Sequence, residues 1–167
     1  GQAIGPQFRA GSGADNKAGA AGPYDPGTSA DKAGEEASRA SRAVERPDDG
    51  IDGEEFGRSQ GASGWTWLLD PIDGTRAFLA GLPVWTTLIA LADPDGNPVL
   101  GLIDQPVLGE RYVGAPGEAF LQTRDGRTPL KVSGCTDLRQ AVIATTDPFI
   151  MTPAEQGAWT HLRHTAR

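Results

Sequence analysis

The sequence predicts an α+β fold, and three observations support this class. Strand-prone segments come in pairs that are separated by turn-forming residues, which indicates hairpins. One segment in the first third of the chain and one at its C-terminal end have the composition of helices. No internal repeat is evident. Because hairpins predominate, we expect a mainly antiparallel sheet with flanking helices.

The first predicted helix covers residues 29–46, which are rich in alanine and in charged residues. Ser29 or Asp31 is available as its N-terminal cap, and Pro47 follows its end. Alanine supplies most of the apolar face, with Val44 as its largest member. We therefore expect this helix to pack weakly.

The strand signals follow this helix. A β-prone segment rich in tryptophan and leucine ends before a tight turn, and two hairpins then flank the turn-forming sequences DPDGN and APGE. The predicted strands are residues 65–69, 86–92, 98–104, 111–114 and 119–122, with shorter candidates at Val132 and residues 141–145.

Two further helices are predicted from their termini. A short helix is expected over residues 75–80, closed by Gly81. Near the C-terminal end, Thr152 is a candidate cap, Pro153 occupies the first turn and Glu155 adds an acidic group there. We expect the helix that begins at Thr152 and Pro153 to run towards the end of the chain.

Composition excludes several classes of function. The 167 residues include 15 basic and 22 acidic side chains, a net charge of −7, which argues against nucleic-acid or membrane-surface binding. A lone Cys135 excludes an internal disulfide framework and a cysteine-based zinc cluster. The longest mostly apolar run, residues 82–92, is too short for a membrane helix, and no signal peptide is visible at the start. A soluble, reducing, cytoplasmic setting is expected.

The sequence DPIDGT carries the most specific chemical signal. Pro71 restricts Asp70 to extended geometry, as expected for the end of a strand. Asp73 lies three residues later, so a tight turn could bring both carboxylates to one point. Gly74 permits a positive φ angle or a close backbone approach. Thr75 can then open a short helix, whose first N–H groups suit a phosphate.

Glu54 and Glu55 add carboxylates from a second chain segment. Crowded carboxylates repel one another unless a cation lies between them, and Mg²⁺ prefers oxygen ligands. A carboxylate-bound metal beside a phosphate-binding turn suits phosphate-ester hydrolysis. The residue types alone leave a simpler alternative open, in which DPIDGT is only a turn and the glutamates form a solvated surface.

The sequence GEE, followed by W-x-x-DPIDGT, resembles the inositol monophosphatase family. The flanking sequences DPIDGTRAFLAGLPVWTTLIAL, GLIDQPVLGERYVGA and ATTDPF are most similar to the histidinol-phosphatase branch of that family. The resemblance implies a layered αβαβα sandwich, of which this chain would supply the first, mainly antiparallel, sheet and its helices. The composition, poor in large apolar residues, predicts a loosely ordered segment (1–28), and the resemblance implies a metal-binding phosphatase domain (29–140) and the start of a second, truncated α/β domain (141–167).

The resemblance also implies the ligands of two or three Mg²⁺ ions. Glu54 would be a metal ligand, and Asp70 would bridge two metals. The carboxylate of Asp73 and the backbone carbonyl of Ile72 would complete parts of the two coordination shells.

The remaining implied roles concern substrate and water. Gly74 and Thr75 would hold the substrate phosphate through backbone N–H groups. The Thr75 hydroxyl, paired with Asp31, would help to orient and deprotonate the attacking water, and Glu55 would support that water network. Lys17 matches a basic residue near the site.

The function implied is Mg²⁺-dependent hydrolysis of histidinol phosphate to histidinol and inorganic phosphate, a step of histidine biosynthesis. One alternative changes the substrate to an inositol phosphate or to another sugar or nucleotide phosphate. A second alternative is an inert fragment that binds metal or phosphate, because family members are longer and their second half supplies a further metal-binding aspartate. Relatives are commonly dimers, so a homodimer is open as well.

Three positions depart from the family pattern, because Ser38, Ser41 and Asp52 are polar where relatives have apolar residues. An unpaired charge at Asp52 on a buried strand face would cost several kcal/mol. We therefore expect these positions to weaken the packing of the first helix and of the strand before GEE.

Overall fold

The computed structural model describes residues 2–11, 14–16, 26–147 and 150–166. Lys17, and Pro148 and Phe149 of the sequence ATTDPF, lie outside the described residues. The chain divides into two compact units, Gly1–Leu130 and Lys131–Arg167. The first unit contains the sheet and the candidate site.

The first unit is built on a mixed, mainly antiparallel sheet of eight strands, as the sequence predicts. Its strand order is β10-β9-β8-β7-β6-β5-β3-β4, and only the β3–β5 pair is parallel among the described strands. These strands are β3 (Gly50–Gly53), β4 (Gly57–Ser59), β5 (Thr66–Asp73), β6 (Thr86–Ala92), β7 (Pro98–Gln105), β8 (Glu110–Ala115), β9 (Glu118–Thr123) and β10 (Gly126–Pro129). Two short strands, β1 (Ala14–Asn16) and β2 (Pro26–Thr28), pair separately.

The helices lie close to their predicted positions. They are α1 (Ser29–Glu45), α2 (Thr75–Leu79) and α3 (Pro153–Thr165). The cap of α1 is Thr28, one residue before the predicted range, because Thr28 is still extended and its hydroxyl accepts the N–H groups of Ala30 and Asp31. In the second unit, Thr152 caps α3 and Glu155 completes the capping box, as expected.

Turn chemistry sets the register of the hairpin between β6 and β7. The Asp93 carboxylate accepts N–H groups from Asp95 (3.0 Å) and Asn97 (2.8 Å), and Gly96 has a φ of 85°. This is the side-chain-to-backbone bonding that makes aspartate a turn former. The DPDGN hairpin is confirmed, and so is the APGE hairpin that joins β8 to β9.

Four strands lie outside the predictions, namely β1, β2, β4 and β10, whereas β3 lies where a strand was expected before GEE. Conversely, Val132 and residues 141–145 form no strand, so those two predictions are wrong. Val132 is 97% exposed. A short apolar segment without a pairing partner does not stay extended in a sheet.

Two apolar clusters position the site. One joins Ile4, Ala30, Ile72, Phe78 and Trp85, so the segment that carries DPIDGT packs against the start of α1. The other lies between α1 and β5 and consists of Ile51, Trp67 and Leu69, with Ile89, Leu91 and Leu100 beside them. The polar departures do not enter these clusters: Asp52 and Ser41 are exposed, and Ser38 is half-buried with its hydroxyl donating to the Gly34 carbonyl.

No helix in the described part of the chain combines the length and the apolar character that crossing a membrane requires.

Candidate metal centre

The DPIDGT segment forms an irregular strand end followed by a tight turn. Strand β5 continues beyond Asp70 to Asp73, and its register against β6 shifts between these two residues. Gly74 has a φ of 88° and precedes α2. A Cβ atom at this position would make ordinary van der Waals contact with Trp85, 3.4 Å from its Cα, so the backbone conformation is what favours glycine.

Carboxylates from three chain segments meet around Asp70. Burial raises the pKa of Asp70 to about 7, together with a hydrogen bond that protonated Asp70 donates to Glu54 and the negative charges of Glu54, Asp73 and Asp31. Oδ1 of Asp70 is buried and accepts no hydrogen bond from any described residue. The structure therefore brings Glu54, Asp73 and Asp31 within electrostatic reach of Asp70.

The chemistry of these groups fits a hard divalent cation. Two carboxyl groups that are joined by a hydrogen bond share one proton. A Mg²⁺ ion, which prefers carboxylate oxygens as ligands, could take the place of that proton. Across residues 2–11, 14–16, 26–147 and 150–166, no three His, Cys, Asp or Glu side chains are arranged closely enough to hold a metal ion. The ligand roles predicted for Glu54, Asp70 and Asp73, and for the Ile72 carbonyl, thus stay predictions.

The Thr75 hydroxyl has a backbone partner in the structure. It donates to the carbonyl oxygen of Ile72 over 3.0 Å. Asp31, expected to pair with Thr75, is fully buried, and its Oδ2 accepts the N–H (2.8 Å) and the hydroxyl (2.5 Å) of Thr28. Asp31 therefore also completes the capping box of α1 as its N3 residue, rather than being the N-terminal cap itself, as was one of the two expectations.

Glu55 lies at the turn between β3 and β4 and is half-buried. Its backbone N–H donates to Oε2 of Glu35 over 2.7 Å. Glu35 was not among the predicted site residues, although its position in the sequence carries one signal. Glu35 follows Asp31 by four residues, so the two acidic side chains lie on the same face of α1.

Fold and site together define the class of protein. The chain is a mainly antiparallel sheet with a helix packed on it, and acidic side chains gather where β5 turns into α2. It belongs to the inositol monophosphatase family, whose model matches residues 1–157. The recognition made from GEE and DPIDGT is confirmed.

Individual relatives agree with this membership. The chain is 42% identical over 121 residues to a histidinol-phosphatase of Mycobacterium tuberculosis, covering 71% of this chain and 46% of that protein. It is 39% identical over 140 residues to the chloroplastic bifunctional phosphatase IMPL2 of Arabidopsis thaliana, covering 83% and 39%. A solved inositol monophosphatase from Zymomonas mobilis matches with a TM-score of 0.81 at 37% identity, covering 99% of this chain and 61% of that one. The chain therefore spans less than half the length of these two curated relatives.

Proposed function

We propose that the protein is a Mg²⁺-dependent phosphomonoesterase. The observation that carries this proposal is the raised pKa of Asp70, caused by its burial and by carboxylates that arrive from α1, from the β3–β4 turn and from the end of β5. Groups held this close favour a cation between them, and phosphoryl transfer depends on such charge stabilisation. The family membership supports the same chemistry.

In the proposed reaction, water attacks the phosphorus atom, the ester P–O bond breaks, and the leaving oxygen takes a proton to give an alcohol and inorganic phosphate. When bound by Glu54, Asp70, Asp73 and the Ile72 carbonyl, Mg²⁺ would neutralise phosphoryl charge and lower the pKa of water. The N–H groups of Gly74 and Thr75 hold the phosphate. Asp31, Thr75 and Glu55 orient the water and accept its proton.

The substrate that we propose is histidinol phosphate. The 42% identity to the Mycobacterium tuberculosis histidinol-phosphatase supports it. The 37% identity to the Zymomonas mobilis inositol monophosphatase keeps an inositol phosphate as the competing substrate. Rates of phosphate release from both compounds, measured side by side with Mg²⁺, separate the two: a higher kcat/KM for inositol phosphate would contradict the substrate assignment.

The reaction class is tested by Asp73→Asn, with Asp95→Asn as the control. Both changes remove one acidic charge from an exposed side chain, but Asp95 lies in the hairpin turn between β6 and β7 and is not among the charges that act on Asp70. We expect Asp73→Asn to lower phosphate release by about a hundredfold or more and Asp95→Asn to leave it unchanged. Absence of phosphate release from the unsubstituted chain, with or without Mg²⁺ binding, would instead support the inert fragment.

A further inference from the structure

Helix α1 carries a buried ion pair to which the proposed function assigns no role. Glu35 is 0% exposed, and its Oε1 lies 2.7 Å from Nε of Arg39, one helical turn later. A buried carboxylate is costly unless it is paired and hydrogen-bonded. The question is therefore which groups, besides Arg39, form hydrogen bonds with the buried Glu35 carboxylate.

Those groups belong to the turn between β3 and β4, about twenty residues further along the chain. Oε2 of Glu35 accepts the N–H of Glu55 over 2.7 Å, and Oε1 accepts the N–H of Phe56 over 3.3 Å. Arg39 donates to the Gly57 carbonyl and, over 3.3 Å, to the Ser59 hydroxyl. The pair on α1 thus binds N–H groups at the start of the turn and oxygen atoms at its end.

The approach of Glu35 is so close that a side chain on the facing strand would force either Glu35 or the strand to move. A Cβ atom built on Gly53 would collide with the carboxylate of Glu35. Gly53 immediately precedes Glu54, so the position at which β3 ends is set by contact with α1. Substitution there would displace either the turn or the Glu35 carboxylate, and in both cases would weaken the bonds between them.

Glu54 is consequently restrained on both sides. Its own N–H donates to the carbonyl of Leu69, the residue before Asp70, over 3.2 Å. The next N–H in the chain, that of Glu55, is held by Glu35. These two bonds fix the backbone from which the Glu54 side chain reaches Asp70.

We propose that Glu35, supported by Arg39, is a positioning residue that holds Glu54 at the distance from Asp70 at which both bind a divalent cation. This inference rests on the proposed function. Both carboxylate oxygens of Glu35 already accept hydrogen bonds, so Glu35 acts through the Glu55 and Phe56 backbone rather than as a ligand. Groups that orient metal ligands in this way typically change metal affinity 10–100-fold when they are removed.

The test uses Glu35→Gln in the full 167-residue chain, with Glu36→Gln as a matched control on the same helix, where the side chain is exposed. The amide replaces one accepting oxygen with a donor, so it cannot accept both N–H groups and Arg39. Hydrogen exchange measures the protection of the Glu55 and Phe56 backbone amides, and titration calorimetry measures the affinity of the chain for Mg²⁺. We expect faster exchange at both amides and about tenfold or more weaker Mg²⁺ binding, with neither change in Glu36→Gln.

A second variant is needed in case Glu35→Gln does not fold, which circular dichroism would show. Arg39→Lys keeps a positive charge beside Glu35 but loses the planar fork that reaches Gly57 and Ser59. If Glu35→Gln does not fold, Arg39→Lys carries the test, and we expect faster exchange at the same amides with Mg²⁺ binding weakened about threefold, a smaller loss than that of the direct substitution.

The outcomes separate this inference from the function on which it rests. Faster amide exchange with unchanged Mg²⁺ affinity would reduce Glu35 to a structural residue and overturn the inference alone. Failure of the unsubstituted chain to bind Mg²⁺ would overturn the proposed function and the inference with it. If Glu36→Gln also binds Mg²⁺ more weakly, the loss of one negative charge on α1 explains the effect, and the positioning role of Glu35 is overturned.

Discussion

At the scale of single residues, the protonation of Asp70 links the candidate site to stability. Its pKa is raised from 3.8 to about 7, mainly by burial and to a smaller extent by Glu54, Asp73 and Asp31. The folded chain therefore holds the Asp70 proton more tightly than the unfolded chain does. By linkage, this group's contribution to the free energy of unfolding is fully present below pH 3.8 and is lost as the pH rises to about 7.

We predict that Asp70→Asn flattens this dependence. Because Asp70 is partly exposed, solvent screening limits the effect to about 2 kcal/mol or less. Urea unfolding between pH 4 and pH 8, with a chelator present, measures the slope for the unsubstituted chain and for the variant. Asp95→Asn, which removes a distant exposed charge, should keep the original slope. Equal slopes for the unsubstituted chain and Asp70→Asn would contradict the assignment of the raised pKa.

At the scale of secondary-structure elements, the N-terminus of α1 connects the fold to the site. The Thr28 hydroxyl accepts two N–H groups of the first turn and donates to Asp31, and it is buried. The neighbouring Ser29 hydroxyl is exposed and donates to the side chain of Gln7. Asp31, one of the predicted site residues, therefore depends on Thr28 for its orientation.

We predict that Thr28→Ala destabilises the chain by about 1–2 kcal/mol, because it removes the cap and leaves buried polar groups of the first turn without their partner. Ser29→Ala should change the free energy of unfolding by less than about 0.5 kcal/mol. Denaturant unfolding of both variants gives the comparison. A larger loss in Ser29→Ala than in Thr28→Ala would place the functional cap at the position that the sequence first suggested.

These elements also show what the sequence could predict. The β6–β7 hairpin and α3 were foreseeable because their signals are local: an aspartate-glycine turn in one case, and a threonine cap followed by proline in the other. The parallel pairing of β3 with β5 was not, since these two strands are not joined by a hairpin and their pairing is a long-range choice.

The residues of the candidate site also differ in whether the local sequence could identify them. DPIDGT and GEE identified Glu54, Asp70 and Asp73 because residue types and order carry that chemistry. Glu35 was not identified because its partners at the β3–β4 turn lie about twenty residues away in sequence, and its only local signal is the four-residue spacing from Asp31. Contacts of this kind become visible only when α1 is placed on the sheet.

At the scale of the whole first unit, the two faces of the sheet differ in how they are covered. Helix α1 packs on the face that carries Trp67 and Leu69, where Arg42 stacks on the Trp67 ring. The opposite face of β5, β6 and β7 lines an open, largely apolar groove of about 890 Å³. On it, Leu68 is 43% exposed and Ile103 is 44% exposed. Because neighbouring side chains alternate between the faces, both sides of β5 are apolar.

We predict that this open face drives self-association, since contiguous exposed apolar surface promotes contacts between molecules. The double variant Leu68→Thr and Ile103→Thr should bind less of a hydrophobic dye and should scatter less light at high concentration. Threonine retains strand propensity and both positions are half-exposed, so stability should fall by less than about 1 kcal/mol. Val44→Thr is the control: Val44 is 82% exposed on α1, away from the groove, and its replacement should change neither signal. Equal dye binding by the double variant and the unsubstituted chain would place the association elsewhere on the surface.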